Sequence, residues 1–165
     1  MREAMRVFAR FSPKWPVPQE GCCLSSFVLA LRDNAILLGR VSDAELWGEK
    51  WALPTWNPPR WRDKLLLPAA HLLIREHPDQ AANRILEEML NAGSFTVKFR
   101  GIQNHVEDSG HWDVCFVYEA DIRGDVRKPP WFSELRYFSP EDITSNSIGR
   151  GHADIMREAG IRLKD

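Results

Sequence analysis

The sequence predicts one soluble α/β domain, and three observations carry that prediction. The composition, 44% hydrophobic and 27% charged over 165 residues, is that of a globular chain. A chain near this length buries roughly 70% of its unfolded surface, so it needs no disulfide or metal staple. Short apolar runs of strand length recur at Cys22–Leu31, Ala35–Val41, Ser94–Gly101, Trp112–Asp121 and Trp131–Phe138. Between them, Pro78–Asn91 carries a helical period instead. No internal repeat or second composition regime appears, which gives a single domain over residues 21–165 behind a lead-in of residues 1–20.

Taken in order, the lead-in contains Pro13, Pro16 and Pro18 and reads as extended. The first two apolar runs are separated by Arg32-Asp33-Asn34, a turn composition that joins them as a hairpin. Trp47 to Pro68 holds Pro54, Pro58, Pro59 and Pro68 among Trp47, Trp51, Trp56 and Trp61, and reads as a long ordered loop. Pro78 suits the first position of a helix, where its missing N–H costs nothing. Ala81, Ala82, Ile85, Leu86, Met89 and Leu90 fall on one arc of that helix, and Asn91-Ala92-Gly93 supplies its stop. His105, Glu107, Asp108 and His111 fall in a polar turn between the next two strands. Ser139 before Pro140 is a capping candidate, and a last helix runs from His152 to Ala159 before Gly160.

Charge and cysteine usage exclude several classes of function. Lys plus Arg is 22 against Asp plus Glu 23, so no basic excess attracts nucleic acid, and Arg60, Arg62 and Lys64 stand against that balance. No apolar run reaches the roughly 18 residues of a membrane span, and Met1 to Arg10 lacks a signal-peptide core. Cys22, Cys23 and Cys115 form an odd set containing a vicinal pair, which reads as a reduced, cytoplasmic chain.

One segment carries more specific information. It runs Leu67-Pro68-Ala69-Ala70-His71-Leu72-Leu73-Ile74-Arg75-Glu76-His77-Pro78-Asp79-Gln80-Ala81-Ala82-Asn83-Arg84-Ile85-Leu86-Glu87-Glu88. This resembles the Nudix box, in which Gly, a spaced Glu and then Arg-Glu-aliphatic-any-Glu-Glu-any-Gly-aliphatic form a loop, a helix and a second loop. Without gaps, Ala70 takes the place of the Gly, Glu76 matches the first Glu, Arg84 the Arg, Leu86 the aliphatic position and Glu88 the first paired Glu. Trp51-Ala52-Leu53-Pro54 is similar to the entry that usually precedes the family's glycines, and Leu67-Pro68 repeats it, which makes residues 55–66 an insertion. Trp131 to Ile143, with Glu134 and the run Phe138-Ser139-Pro140-Glu141-Asp142, resembles the family's late strand leading into a helix.

The resemblance implies a Nudix-like α/β/α sandwich with a mixed β-sheet. It also implies a pyrophosphohydrolase of a nucleoside diphosphate linked to another group, with Mg²⁺ or Mn²⁺ held against the diphosphate. The implied metal ligands are Glu88 and the backbone carbonyl of Ala70, with Glu87, one residue from the expected position and about 100° round the helix, as an acid that could compensate only if the helix rotates; Glu88 is also the catalytic candidate, and Glu76 with Arg84 organises the loop. The departures fall where the chemistry would be. Carboxylates at i, i+3 and i+4 of a helix converge on one point, yet Ile85 and Met89 occupy two of those three positions. Ile85 has no donor atom, and a thioether is too soft for Mg²⁺. Asn91 replaces the later Gly, and Ala70 would cost about 1–2 kcal/mol if its site required positive φ.

Two readings follow. The first is a hydrolase whose activity is weakened or lost through Ile85 and Met89. The second is a catalytically inactive Nudix-fold module that binds a nucleotide-type small molecule or another protein. The Trp cluster suits core, a homodimer contact or base stacking. His71, His105 and His111 lack zinc-site spacing, Glu107, Asp108 and Asp113 read as solvated acids, and Arg84 pairs with Glu88 as a surface ion pair.

Overall fold

A computed structural model of the chain describes residues 22–42, 62–106 and 112–164. The lead-in 1–20, Trp47, Trp51, Trp56, Trp61, Arg60, Glu107, Asp108 and His111 lie outside the described residues. The hairpin of the sequence reading is present as β1 (Cys22–Arg32) and β2 (Ala35–Val41). Asp33 and Asn34 turn it with φ of 47° and 63°, the left-handed pair that a tight two-residue turn demands and that Asn and Asp tolerate best. The two strands pair only at their turn end, at Leu31↔Ile36 and Arg32↔Ala35, and then part.

β1 goes on to pair antiparallel with β4 (Ala69–His71) and parallel with β6 (Trp112–Arg123). β6 in turn pairs antiparallel with β5 (Ser94–Val106). β2 pairs antiparallel with β3 (Leu65–Leu66) and with β7 (Phe132–Phe138). The described strands make one mixed sheet of seven, ordered β3-β2-β1-β6-β5, with β4 beside β1 and β7 beside β2. Leu65 and Leu66, at the end of the 55–66 segment, are buried in this sheet as β3. His105 stands on β5, not in the following turn, because the strand runs on to Val106. Gly39 of β2 has a steric reason to be glycine, since an added Cβ would overlap the buried Phe132 ring.

Alternate residues of β1 and β6 feed two apolar layers. Val28, Ala30, Tyr118 and Ala120 face a core shared with α1 (Pro78–Arg84) and the turn after it. Phe27, Leu29, Cys115 and Val117 face a core shared with α2 (Arg150–Glu158) through Ala153, Ile155 and Met156. The result is a mixed sheet between helices, the α/β/α sandwich. Gly160, at φ 85°, ends the last helix as its position suggested. Pro140–Asp142 is a single 3₁₀ turn, and Ser139 makes no side-chain cap there. No described helix is long and apolar enough to cross a membrane.

Candidate functional site

The box segment leaves the sheet at β4, crosses a loop and enters α1. Ala70 pairs with Ser26 inside β4 and has no positive φ, so its methyl group carries no backbone strain. His71 follows, buried, with Nδ1 2.9 Å from Ser25 Oγ. The loop is held by Glu76. Its Oε2 accepts from Leu73 N at 2.7 Å, and Arg84 reaches back from the helix to grip both carboxylate oxygens, Nε to Oε1 at 2.7 Å and Nη2 to Oε2 at 2.9 Å. Arg84 Nη2 also donates to the His71 carbonyl at 2.9 Å, so one guanidinium ties strand, loop and helix together. Burial pushes the Glu76 carboxyl up, but the Arg84 and Leu73 hydrogen bonds and the Arg84 charge outweigh it and leave it below the usual range. Arg84 therefore pairs with Glu76 and not with Glu88, because the planar fork finds a bidentate partner in a half-dry site.

The helix start has its own lock, which the sequence reading missed. His77 Nδ1 accepts from Asp79 N at 3.3 Å, while His77 N donates to Gln80 Oε1 at 2.8 Å. This is the reciprocal arrangement of a capping box with His in the place of Ser or Thr, and the Gln three residues on was its one legible sign. Tyr118 OH donates to Asp79 Oδ1 at 2.6 Å, and Ser26 Oγ donates to Pro78 O at 2.9 Å, which pin the first turn onto the sheet. Nothing in the spacing of Ser26 or Tyr118 pointed to those roles.

Past Arg84 the α-helix widens. Ile85–Met89 is a π-turn, closed by Leu90 N donating to Ile85 O at 3.0 Å. Ile85, Leu86 and Met89 are buried in the core beneath α1, and Glu87 and Glu88 are exposed on the opposite side. An i→i+5 turn rotates less per residue than the about 100° of an α-helix, which carries Glu88 further from the line of Ile85. Asn91, at the position of the box's later Gly, has φ 49°, the left-handed geometry that glycine would adopt freely and asparagine accepts.

A divalent cation of the Mg²⁺ type needs several oxygens converging on one point. Among the described residues no group of three or more His, Cys, Asp or Glu side chains is placed to hold a metal. With Ile85 and Met89 in the core, the described residues of the box do not gather the oxygens that the implied ion needs. Of the other candidates, Asp113 is buried on β6, contrary to its reading as a solvated acid. His105 Nδ1 stands 3.7 Å from Asp154 Oδ2, on the α2 side of the sheet. Glu134 on β7 is held by Arg136 and by Arg40, the latter at 3.2 Å.

No family model and no curated protein matches the chain in sequence. Its structure is similar to the MutT NUDIX hydrolase from Burkholderia pseudomallei, at 19% identity and a TM-score of 0.63, covering 84% of this chain and 98% of that one. It is similar to the MutT protein from Methanosarcina mazei Go1 at 16% identity and a TM-score of 0.63, covering 85% and 94% of the two chains. A NUDIX hydrolase from Nitrosomonas europaea aligns at 20% identity and a TM-score of 0.59, covering 86% and 91%. The chain has the fold of the Nudix hydrolases.

Proposed function

We propose that this chain is a Nudix hydrolase-like protein that takes a nucleoside diphosphate linked to another group, with its pyrophosphohydrolase activity weakened or lost. The observation that carries the reading is a split within the box. The half that shapes the loop is built, with Arg84 spanning Glu76 and the His71 carbonyl. The half that would gather carboxylates is not, because Ile85 and Met89 are core residues. Loss of a positioned general base alone costs about 10²–10⁴-fold in rate. Glu88 and Glu87 are the acids left on the exposed side of the helix, and Glu88 is the one whose loss should remove residual turnover. Three cysteines outside any disulfide, Cys22, Cys23 and Cys115, suit a reducing, cytoplasmic setting. A homodimer belongs to the same proposal.

A second reading, a catalytically inactive nucleotide-binding or interaction module, is favoured by the same burial of Ile85 and Met89. One experiment separates them. The full chain is incubated with a panel of nucleoside diphosphate compounds and Mg²⁺ or Mn²⁺, and released phosphate products are measured by chromatography. Slow turnover that disappears in Glu88→Gln supports the hydrolase. Ligand binding by calorimetry without turnover supports the module, and neither turnover nor binding sinks both.

A further inference from the structure

The start of α1 is closed by a side chain whose hydrogen-bonding role depends on its protonation. His77 Nδ1 accepts from Asp79 N at 3.3 Å, and the same nitrogen stands 3.4 Å from Asp79 Oδ2. A ring nitrogen accepts only while it lacks a proton; in the charged imidazole both nitrogens are donors. One atom therefore has two partners within reach, a backbone N–H that needs it neutral and a carboxylate oxygen that needs it charged. The Ser or Thr that ordinarily fills this position in a capping box accepts at every pH. The His77 and Asp79 side chains are 68% and 60% exposed, so a proton reaches the ring without unfolding.

The neighbouring elements hold Asp79 ready for the exchange. From β6, Tyr118 OH donates to the other carboxylate oxygen, Oδ1, at 2.6 Å, which leaves Oδ2 beside His77. From β1, Ser26 Oγ makes an uncharged contact to Pro78 O. In the loop before the helix, Glu76 is taken up by Arg84 and by Leu73 N, and Arg75 is the other charged neighbour, at φ 68°. Asp79 is thus the carboxylate that meets the ring.

We propose that His77 is a pH-operated cap. Neutral, it closes the first turn of α1 through Asp79 N; protonated, it releases that N–H and donates to Asp79 Oδ2. Magnitudes keep the two arrangements close in free energy. A side-chain cap shifts an equilibrium about 2- to 30-fold. An exposed ion pair returns up to about 5-fold. His77 N donates to Gln80 Oε1 through its backbone, which the ring proton does not touch, so half of the lock persists and the turn loosens without coming apart. Imidazoles change charge between about pH 5 and pH 8, so mild acidification is enough to throw the switch.

The test is nuclear magnetic resonance of the full chain, labelled with nitrogen-15, between about pH 8 and pH 5. The Asp79 amide signal should move along the same pH curve as the His77 ring signals. Its hydrogen exchange, referenced at each pH to an unstructured peptide, should accelerate about 2- to 30-fold on acidification. His77→Ser, whose hydroxyl accepts at every pH, should remove both responses, with the Leu86 and Ile155 amides reporting an intact fold. If the serine variant does not fold, His77→Asn supplies an equivalent acceptor that does not titrate. An Asp79 amide that ignores the ring's curve, or that responds equally in the parent and the variant, overturns the proposal. A response that follows only the lower pH range of a carboxylate overturns it as well, because Asp79 would then be titrating on its own account.

Discussion

Glu76 and Arg84 show how much one side-chain pair can decide. The guanidinium has three acceptor contacts in a half-buried site, where charge-assisted hydrogen bonds are worth about 1.5–3 kcal/mol each before desolvation is subtracted. His152 makes the opposite case, a titratable group kept neutral. It is buried on α2, its Nδ1 accepts from Leu67 N at 3.0 Å, and its ring meets Phe27 edge-on with centroids 5.1 Å apart. Burial lowers its pKa to about 3, with Asp113 raising it and His105 lowering it further. In the unfolded chain the same imidazole takes a proton as pH falls through about 6.5. The unfolded state then binds more protons, so stability from this group is full above pH 6.5 and is lost progressively down to about pH 3. The expected loss between pH 8 and pH 5 is about 2 kcal/mol. Urea unfolding of the parent and of His152→Gln across that range checks this, since the substituted chain should have the flatter profile. Identical profiles would show that His152 does not set the acid sensitivity.

The helix of the box shows how far elements are legible in a sequence. The 3.6-residue period of Ala81, Ala82, Ile85, Leu86, Met89 and Leu90 predicts a helix and its buried face, and all six are buried. The period cannot distinguish an α-helix from one that widens at its end, because Leu90 is buried under either geometry. Nor does it reveal that His77 caps the start, since that depends on a side chain acting outside its usual role. The apolar character of Ile85 and Met89, in contrast, was visible at once and dictates their place in the core. Restoring an acid there should therefore fail. In Met89→Glu the carboxylate would lie in a site only 3% exposed, and a charge without a partner in such a place costs several kcal/mol or forces its own pKa upward. The variant should be destabilised more at pH 8 than at pH 5, with no gain in turnover. Thermal unfolding at the two pH values reads this, and parent-like stability at pH 8 together with tight Mn²⁺ binding would refute it.

At the scale of the molecule, the local pieces were legible and the resemblance implied the mixed-sheet sandwich that they form, but which strand pairs with which was not legible. The hairpin, the strand-length runs and the helix each follow from neighbours in sequence. The parallel pairing of β1 with β6, from Cys22↔Trp112 to Ala30↔Ala120, joins segments far apart in the chain, and nothing in either segment names its partner. That pairing is what makes the two apolar layers a single cooperative unit. Leu38 and Leu86 illustrate it, one fully buried on the α2 side and one on the α1 side of a shared sheet. If the sheet is a common wall, opening either layer exposes strands that the other layer needs. Leu38→Ala and Leu86→Ala should then each lower stability by about 2–5 kcal/mol through lost contact and residual cavity. Both should shift one urea transition without changing its slope. Circular dichroism and methyl signals from Ile85 on one side and Ile155 on the other should report the same midpoint in each variant. Two separated midpoints would mean that the layers unfold independently and that the central pairing does not couple them.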